Sequence, residues 1–453
     1  MDDSATTTDD GSPLLQRIFS LRSRGFWRAR DAQPKAKTLL RLCEALLSER
    51  GEVSGARVAG ELLAAYRELD AAARGAFFDL LTDAFLPDPA ATAAAADAYR
   101  AAPSAETLLR LQAEAEPLRR ELFRRLNLAS GGTGALIEMR RHLLATLRER
   151  PERAALDADF VHLFRSWFNG GFLTLRRIDW RTSAVVLERL IQYEAVHQIQ
   201  GWDDLHRRLE SDRRCYAFFH PALPDEPLIF IEVALTERMS QAIRPLLDPR
   251  APVLDATRAR TAIFYSITQC QEGLRGVSFG SLLIKQVVED LTRGFPRLKT
   301  FATLSPIPDF RKWLGARAAP GAPPLSRALE EFLTRFDSRA VVLTEAVPPE
   351  VRSGLMQLCA HYLLHAKLHD VSYDAVARFH LANGARLERL NWLADPSATG
   401  IRRSFGLMAN YLYRLGDLER NHELYARERR VIASRTIEAL ARRRAGWKAS
   451  PGR

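Results

Sequence analysis

Cysteine is scarce in this sequence, which has four cysteines among 453 residues. They are scattered along the chain, at Cys43, Cys215, Cys270 and Cys359. A disulfide-bonded scaffold needs a denser set, and zinc sites built on cysteine use C-x-x-C pairs, which the sequence lacks. The ten histidines offer no convincing set of metal ligands either. We therefore expect buried or half-buried free thiols, no metal site and a cytoplasmic protein.

Long hydrophobic runs and targeting signals are also missing. The most apolar strand-like stretch, Leu228–Leu235, is interrupted by Glu232 and is far shorter than the roughly 20 residues that span a bilayer. The first residues, MDDSATTTDDGSP, are acidic and contain no apolar run, and the final Ser450–Arg453 does not match a peroxisomal signal. The sequence thus predicts neither a membrane partner nor a targeting segment.

Acidic residues are outnumbered, because 66 basic residues face 55 acidic ones and the net charge is +11. Most of the basic residues are arginines, which suit bidentate recognition of phosphate. Many of them lie beside Glu or Asp, as in LRERPERAALDAD at 147–159, a pattern typical of solvated helix faces. Interleaved aromatic and basic motifs of nucleic-acid-binding modules are absent. We expect no nucleic-acid partner, and a phosphate-bearing substrate is compatible with the charge.

The spacing of apolar residues changes near Phe172. Up to about residue 165, leucines recur at three- and four-residue steps, as over 136–147, which predicts a helical bundle beginning near residue 13. After Phe172, the stretches Leu228–Leu235 and Thr261–Thr268 are short and rich in β-branched and aromatic residues, which favours strands. The predicted fold class is therefore α+β, with an all-α N-terminal part and a mixed α/β part.

The order of elements in the second part predicts a βαβ-like core. The Thr261–Thr268 strand is followed by a glycine-bearing loop, a helix over 281–294 and a strand over 298–304. Residues 315–325 form a Pro/Gly/Ala connector, and helices are predicted to dominate from Ser326 to the end.

The first candidate site is the loop before the 281–294 helix. It comprises Arg275, Gly276, Val277, Ser278, Phe279, Gly280 and Ser281. Its glycines let the backbone approach a ligand, Ser281 can cap the helix, and a helix N-terminus attracts phosphate. Three glycines within 271–280 are also typical of a simple turn, so the residues alone leave phosphate binding open.

Two further segments carry side chains suited to proton transfer. Ser305 lies in L-S-P-I-P, where two prolines stiffen the loop after a predicted strand, and His380 lies in F-H-L-A-N-G-A. Histidine has the pKa for general acid–base catalysis near neutrality. In isolation each residue is equally compatible with a structural hydrogen bond. Asn383 and the tyrosine pair of Tyr411 and Tyr413 are candidates for lining a pocket, and core packing is the alternative for the tyrosines.

Taken together, these segments resemble the malonyl-CoA decarboxylase family. The motifs that carry the resemblance occur in family order over about residues 160–415. They are W-F-N at 167–169, E-A-V-H at 194–197, E-P-L-I-F-I-E-V-A-L-T at 226–236, F-Y-S-I-T at 264–268, G-L-R-G-V at 273–277, F-G-S-L-L-I-K at 279–285, L-S-P-I-P at 304–308, W-L at 313–314, F-H-L-A-N-G-A at 379–385, N-W at 391–392 and G-L-M-A-N-Y at 406–411.

The resemblance implies a helical oligomerisation domain, here 1–170, and a catalytic domain with an N-acetyltransferase-like (GNAT-like) fold, here 171–453. Such enzymes convert malonyl-CoA to acetyl-CoA and carbon dioxide without a metal or organic cofactor, and they form homo-oligomers, tetramers built as dimers of dimers. The family's catalytic serine and histidine correspond to Ser305 and His380, and its CoA loop corresponds to Arg275–Ser281. Ser278 stands where some members carry an acidic residue, so no role of that carboxylate is transferred.

Our hypothesis is that decarboxylation produces an enolate, which His380 protonates with Ser305 as its partner and with help from Asn383 or Tyr413. A CoA-dependent N-acyltransferase would use the same fold and loop, since fold alone does not determine function. A non-enzymatic RNA-binding or scaffold protein is a further alternative, suggested by the arginine content.

Overall fold

The computed structural model describes residues 34–48, 52–277, 279, 283–316, 325–338, 347–368 and 371–442. The chain divides into two compact units. The first comprises Met1–Leu173, His220–Pro224 and Gln271–Phe279, and the second comprises Thr174–Phe219, Asp225–Cys270 and Gly280–Arg453.

The first unit is helical, as the leucine spacing predicts. Its helices are α1 Pro34–Ser48, α2 Glu52–Arg67, α3 Ala71–Ala84, α4 Pro89–Ala101, α5 Ala105–Ala115, α6 Leu118–Asn127, α7 Gly132–Thr146 and α8 Ala154–Trp167. Several begin at a capping side chain: Asp70 accepts a hydrogen bond from Ala73 N at 2.8 Å, and Asp88 precedes a proline at the first helical position. These caps supply partners for N–H groups that have no acceptor within the helix.

The core of this unit contains aromatic rings and a buried ion pair. The rings of Phe123 and Phe160 stack with their centroids 4.2 Å apart, and both are fully buried. Arg119, which is 2% exposed, donates from Nε to Asp159 and from Nη1 to the carbonyl oxygens of Leu81 and Thr82. Burial of this guanidinium is tolerated because its donors have acceptors.

The second unit contains a mixed sheet, a separate two-stranded sheet of β7 and β8, and helices. The strands of this unit are β1 Thr174–Ile178, β2 Arg213–Phe219, β3 Ile229–Thr236, β4 Thr261–Gln269, β5 Thr300–Thr303, β6 Ser305–Pro306, β7 Lys367–Leu368, β8 Val371–Ser372, β9 Arg386–Asn391 and β10 Met408–Tyr413. Its helices are α9 Ala184–Tyr193, α10 Trp202–Arg208, α11 Arg244–Leu247, α12 Leu283–Gly294, α13 Phe310–Gly315, α14 Arg327–Ser338, α15 Pro349–His365, α16 Ala375–Ala382, α17 Ala398–Ser404, α18 Leu418–Glu428 and α19 Arg435–Arg442.

The main sheet has the order β1-β2-β3-β4-β5-β10-β6, and β9 also pairs with β10. Strands β4 and β5 are parallel, with Thr261 opposite Thr300, and α12 connects them. This arrangement confirms the predicted βαβ core, because parallel neighbours require a crossover connection. The predicted α+β class is confirmed as well.

Strands also lie in the C-terminal region, which was predicted to be mainly helical. Helices do dominate after Ser326 among the described residues, as predicted, and the strands β7 to β10 lie between them. The strand β9, Arg386–Asn391, is hard to detect because charged residues occupy half of its positions. Most of the predicted connector at 315–325 lies outside the described residues, as do residues 281 and 282 of the predicted helix.

No described helix combines the length and the apolar character that a bilayer crossing requires.

Candidate active site

Ser305 follows the β5 strand and begins β6. Along β10, Ala409 faces Ser305 and Tyr413 faces Phe301, so one strand pairs with both β5 and β6. Leu304 lies between the two short strands and donates its N–H to the Phe264 carbonyl at 2.9 Å. The break at Leu304 therefore leaves Ser305 held by the sheet, with its side chain buried.

His380 lies on α16, and both ends of this short helix are capped. At the N-terminus, Asp374 Oδ1 accepts hydrogen bonds from Val376 N and Ala377 N at 3.0 and 2.9 Å. At the C-terminus, Gly384 N donates to Leu381 O at 3.0 Å and Ala385 N donates to His380 O at 3.1 Å. This pair of bonds is a Schellman motif, and Gly384 occupies its left-handed position with φ of 78°.

The structure brings Ser305, His380 and Tyr413 into one buried hydrogen-bonded chain. His380 Nε2 lies 3.0 Å from Ser305 Oγ, and His380 Nδ1 lies 2.7 Å from the Tyr413 hydroxyl. Ser305 Oγ donates to Thr303 Oγ1 at 2.8 Å, so its oxygen accepts from Nε2–H. Nδ1 then accepts from the Tyr413 hydroxyl, since a neutral imidazole has one donor and one acceptor.

The imidazole is neutral because it is buried. Burial lowers the pKa of His380 to about 3, and only 3% of the residue is exposed. Burial also raises the pKa of the Tyr413 hydroxyl well above its usual range, so it stays protonated. Tyr411 stacks on the imidazole with ring centroids 4.7 Å apart. Among the described residues, no carboxylate hydrogen-bonds to the ring, so the site differs from a Ser–His–Asp triad.

Thr303 and Tyr411 belong to this site; Tyr411 is one of the predicted pocket tyrosines, whereas Thr303 was not predicted. Thr303 Oγ1 accepts from Ser305 Oγ and also from the Tyr411 N–H at 3.1 Å. The signal that could have found Thr303 is the two-residue period of a strand, which places it on the face of Ser305, just as Tyr411 lies on the face of Tyr413.

Asn383 does not join the chain around His380. Its side-chain amide donates to the Phe379 carbonyl oxygen at 2.8 Å, and it is the C-cap residue of α16. Its contribution is to the end of the helix that carries the histidine.

The predicted CoA loop contains a tight turn. Val277 N donates to Leu274 O at 2.9 Å, Arg275 has φ of −55° and ψ of 128°, and Gly276 has φ of 80°. These values define a type II turn, whose third position requires the positive φ that glycine adopts readily. The Arg275 side chain is exposed. Of the other predicted loop residues, Val277 and Phe279 are buried, while Ser278, Gly280 and Ser281 lie outside the described residues.

In the described part of the chain, no group of three or more His, Cys, Asp or Glu side chains could hold a metal ion. The arrangement around His380 provides a serine hydroxyl, a neutral imidazole and a tyrosine hydroxyl in one line of hydrogen bonds. Such a line can move a proton to or from a bound substrate.

Two family models match the chain. The malonyl-CoA decarboxylase C-terminal domain matches residues 171–450, and the malonyl-CoA decarboxylase N-terminal domain matches residues 85–168.

Named relatives and solved structures show the same similarity. Mitochondrial malonyl-CoA decarboxylase of Anser anser anser is 36% identical over 348 residues, which are 71% of this chain and 69% of the relative. The Mus musculus protein of the same name is 36% identical over 73% of this chain and 72% of its own. The crystal structure of malonyl-CoA decarboxylase from Rhodopseudomonas palustris has a TM-score of 0.85 and 49% identity, covering 89% of this chain and 98% of that one. The Agrobacterium vitis structure has a TM-score of 0.81 and 48% identity, covering 89% and 99%.

Replacing Gly384 should destabilise the protein. A Cβ atom at this position would lie 2.2 Å from the Leu418 carbonyl oxygen, and the positive φ disfavours any other residue. We expect Gly384→Ala to lower the free energy of unfolding by about 2–4 kcal/mol, measured by urea denaturation. Gly294→Ala is the matched control, because a Cβ there has no neighbour within 4 Å. Equal stabilities of the two variants would contradict the packing argument.

Acidification should destabilise the protein through its buried histidines. The folded pKa values of His380 and His197 are about 3 and about 4, below the ordinary value of 6.5, so the unfolded chain binds more protons between these limits. The free energy of unfolding is therefore fully present above about pH 6.5 and falls as the pH drops, by up to about 1.4 kcal/mol per pH unit for each histidine.

Urea denaturation between about pH 7 and about pH 5 measures this slope. We expect His380→Gln to have a shallower slope than the wild type. A wild-type slope in the His380 variant would show that this histidine is not held neutral.

Proposed function

Because the chain belongs to the malonyl-CoA decarboxylase family and is a decarboxylase, we propose that it converts malonyl-CoA to acetyl-CoA and carbon dioxide through an enolate that His380 protonates. The observation that carries this mechanism is the buried contact of 3.0 Å between Ser305 Oγ and His380 Nε2. In the first step, the bond between the methylene carbon and the carboxylate breaks, carbon dioxide leaves, and the electron pair moves into the thioester carbonyl as an enolate. In the second step, the methylene carbon takes up one proton and becomes the methyl group of acetyl-CoA.

The proton balance explains why a neutral histidine suits this reaction. Each turnover consumes one proton, and the free protein holds His380 neutral because the ring is buried. When the substrate carboxylate lies beside the ring, its negative charge favours the imidazolium form. The ring then gives this proton to the enolate carbon after carbon dioxide has left, and it returns to the neutral state.

Ser305 and Tyr413 have separate roles in this mechanism. Ser305 positions the substrate carboxylate next to Nε2: its hydroxyl lies at that nitrogen and turns its proton from Thr303 Oγ1 to the carboxylate when substrate binds. Tyr413 holds the other ring nitrogen at 2.7 Å and sets the orientation of the ring. An imidazole held in this way loses little entropy when the enolate forms, which favours proton transfer.

The loop Arg275–Ser281 binds the diphosphate of CoA in this proposal. The type II turn supports the assignment, because it exposes the Arg275 side chain and places backbone at the tip of a loop. Arginine and backbone N–H groups are the usual partners of phosphate oxygens.

Purified protein mixed with malonyl-CoA alone tests the function, with acetyl-CoA followed by chromatography. We expect stoichiometric acetyl-CoA, and one deuterium in its methyl group when the reaction is run in heavy water. His380→Ala and Ser305→Ala should each lower kcat by about 10²- to 10⁴-fold, because the first removes the proton donor and the second removes the group that positions the carboxylate beside it. Tyr413→Phe should have a smaller effect, because it leaves both reacting groups in place.

The exposed His206→Ala variant is the control and should keep wild-type turnover. Wild-type rates in a folded His380→Ala protein would contradict the mechanism. If the wild type binds CoA without turning over malonyl-CoA, acyl transfer to an amine becomes the better hypothesis.

We also propose that the protein is a homo-oligomer assembled through its helical unit. The support in the structure is the helix α5, whose side chains are all described and none of which is buried. Two of them are leucines: Leu108 is 38% exposed and Leu109 is 65% exposed. Adjacent exposed leucines on one helix form an apolar patch, and such patches mark surfaces that bind another protein. The tetramer and the cytoplasmic location stay predictions.

Charged residues on this helix should weaken the assembly. The double variant Leu108→Glu/Leu109→Glu should have a smaller mass than the wild type by light scattering, with an unchanged unfolding midpoint at low protein concentration. Val253→Glu, at an exposed apolar residue of the other unit, is the control. An unchanged mass in the double variant would exclude this surface.

A further inference from the structure

Arg140 is a buried arginine of the helical unit that contacts the predicted CoA loop. It lies on α7 and is 2% exposed. Its Nη1 donates to the carbonyl oxygens of Gly273 and Arg275 at 2.7 and 2.9 Å, and its Nε donates to Asp157 Oδ1 at 2.7 Å. One guanidinium thus joins two helices to a loop that lies more than 130 residues further along the chain.

The loop is packed against other segments of its own unit at two more points. A Cβ atom on Gly273 would lie 2.0 Å from the Ile137 carbonyl oxygen, so only glycine fits there. A Cβ atom on Gly170 would lie 2.9 Å from the Phe279 carbonyl oxygen, at the other end of the loop. These close approaches mean that the helices determine where the backbone of the loop lies.

The bond to Arg275 O has a directional consequence for the turn. Arg275 and Gly276 are the two central residues of the type II turn, and the peptide group between them is planar and trans. In such a group the C=O and N–H bonds point in opposite directions. Since Arg140 holds the carbonyl oxygen, the Gly276 N–H points away from Arg140, on the opposite face of the turn.

We propose that Arg140 is a positioning residue for substrate binding: it holds the 275–276 peptide so that the Gly276 N–H is available to the diphosphate of CoA. This inference rests on the proposed function of the loop. Arg140 would therefore affect how tightly the nucleotide portion of the substrate binds, and it would not affect the reaction at the thioester.

A truncated substrate separates this role from a purely structural one. Malonyl-CoA carries the diphosphate, and malonyl-pantetheine carries the same thioester without it. For Arg140→Lys we expect kcat/KM for malonyl-CoA to fall by about 10- to 100-fold through KM, as loss of charged hydrogen bonds does, while kcat/KM for malonyl-pantetheine changes little. A general loss of structure would lower both values together.

Arg119→Lys is the matched control. Arg119 is equally buried in the same unit, and it also contacts one carboxylate and two carbonyl oxygens, but none of these partners belongs to the loop. We expect this variant to keep the wild-type ratio of kcat/KM for the two substrates. A wild-type ratio in Arg140→Lys, or an equal change of the ratio in Arg119→Lys, would overturn the proposal.

Binding of CoA and of pantetheine, measured by calorimetry, distinguishes failure of this inference from failure of the proposed function. If the wild type does not decarboxylate malonyl-CoA, the proposed function fails, yet weaker binding of CoA alone by Arg140→Lys still supports the positioning role. If Arg140→Lys does not fold, Asp157→Asn takes its place, because it removes the carboxylate that orients the guanidinium. Unchanged CoA binding in a folded variant would overturn the inference.

Discussion

Both ring nitrogens of His380 are engaged, and this constraint joins three separate segments of the second unit. The imidazole comes from a capped helix, the serine from the strand after β5, and the tyrosine from β10. Each hydrogen bond is short only if β10 pairs with β5 and β6 in the observed register. The sheet, the caps of α16 and the break at Leu304 are therefore parts of one geometric requirement.

Burial gives this site its electrostatic character. Because the free protein places no charge against the imidazole among the described residues, the substrate carboxylate is the strongest charge that the ring meets in the proposed mechanism. Charges interact more strongly where water is excluded. The same burial lowers the free energy of unfolding in acid, because the unfolded chain can protonate the histidine and the folded protein does not.

The sequence allowed much of the fold to be predicted, and physical reasons explain the exceptions. Local periodicity of apolar residues predicts the helices of the first unit and the βαβ core. Ordered motifs identify the L-S-P-I-P and F-H-L-A-N-G-A segments. The contact between Ser305 and His380 could be expected only from the resemblance, because 75 residues separate them and no local pattern encodes that distance. Strand β9 was not predicted because charged residues occupy half of its positions. Arg140 was not predicted because a buried arginine on a helix has the same local sequence pattern as an exposed one.

Strand β10 has a further consequence for how this enzyme could change. Its side chains alternate between the two faces of the sheet, with Tyr411 and Tyr413 on the face of the histidine and Asn410 on the other, where it hydrogen-bonds to Asn391. Inserting or deleting one residue within β10 would exchange these faces and move both tyrosines away from the ring. A protein engineer who wishes to widen the substrate range should therefore vary side-chain size in this strand while keeping its length, and reserve length changes for loops outside the sheet.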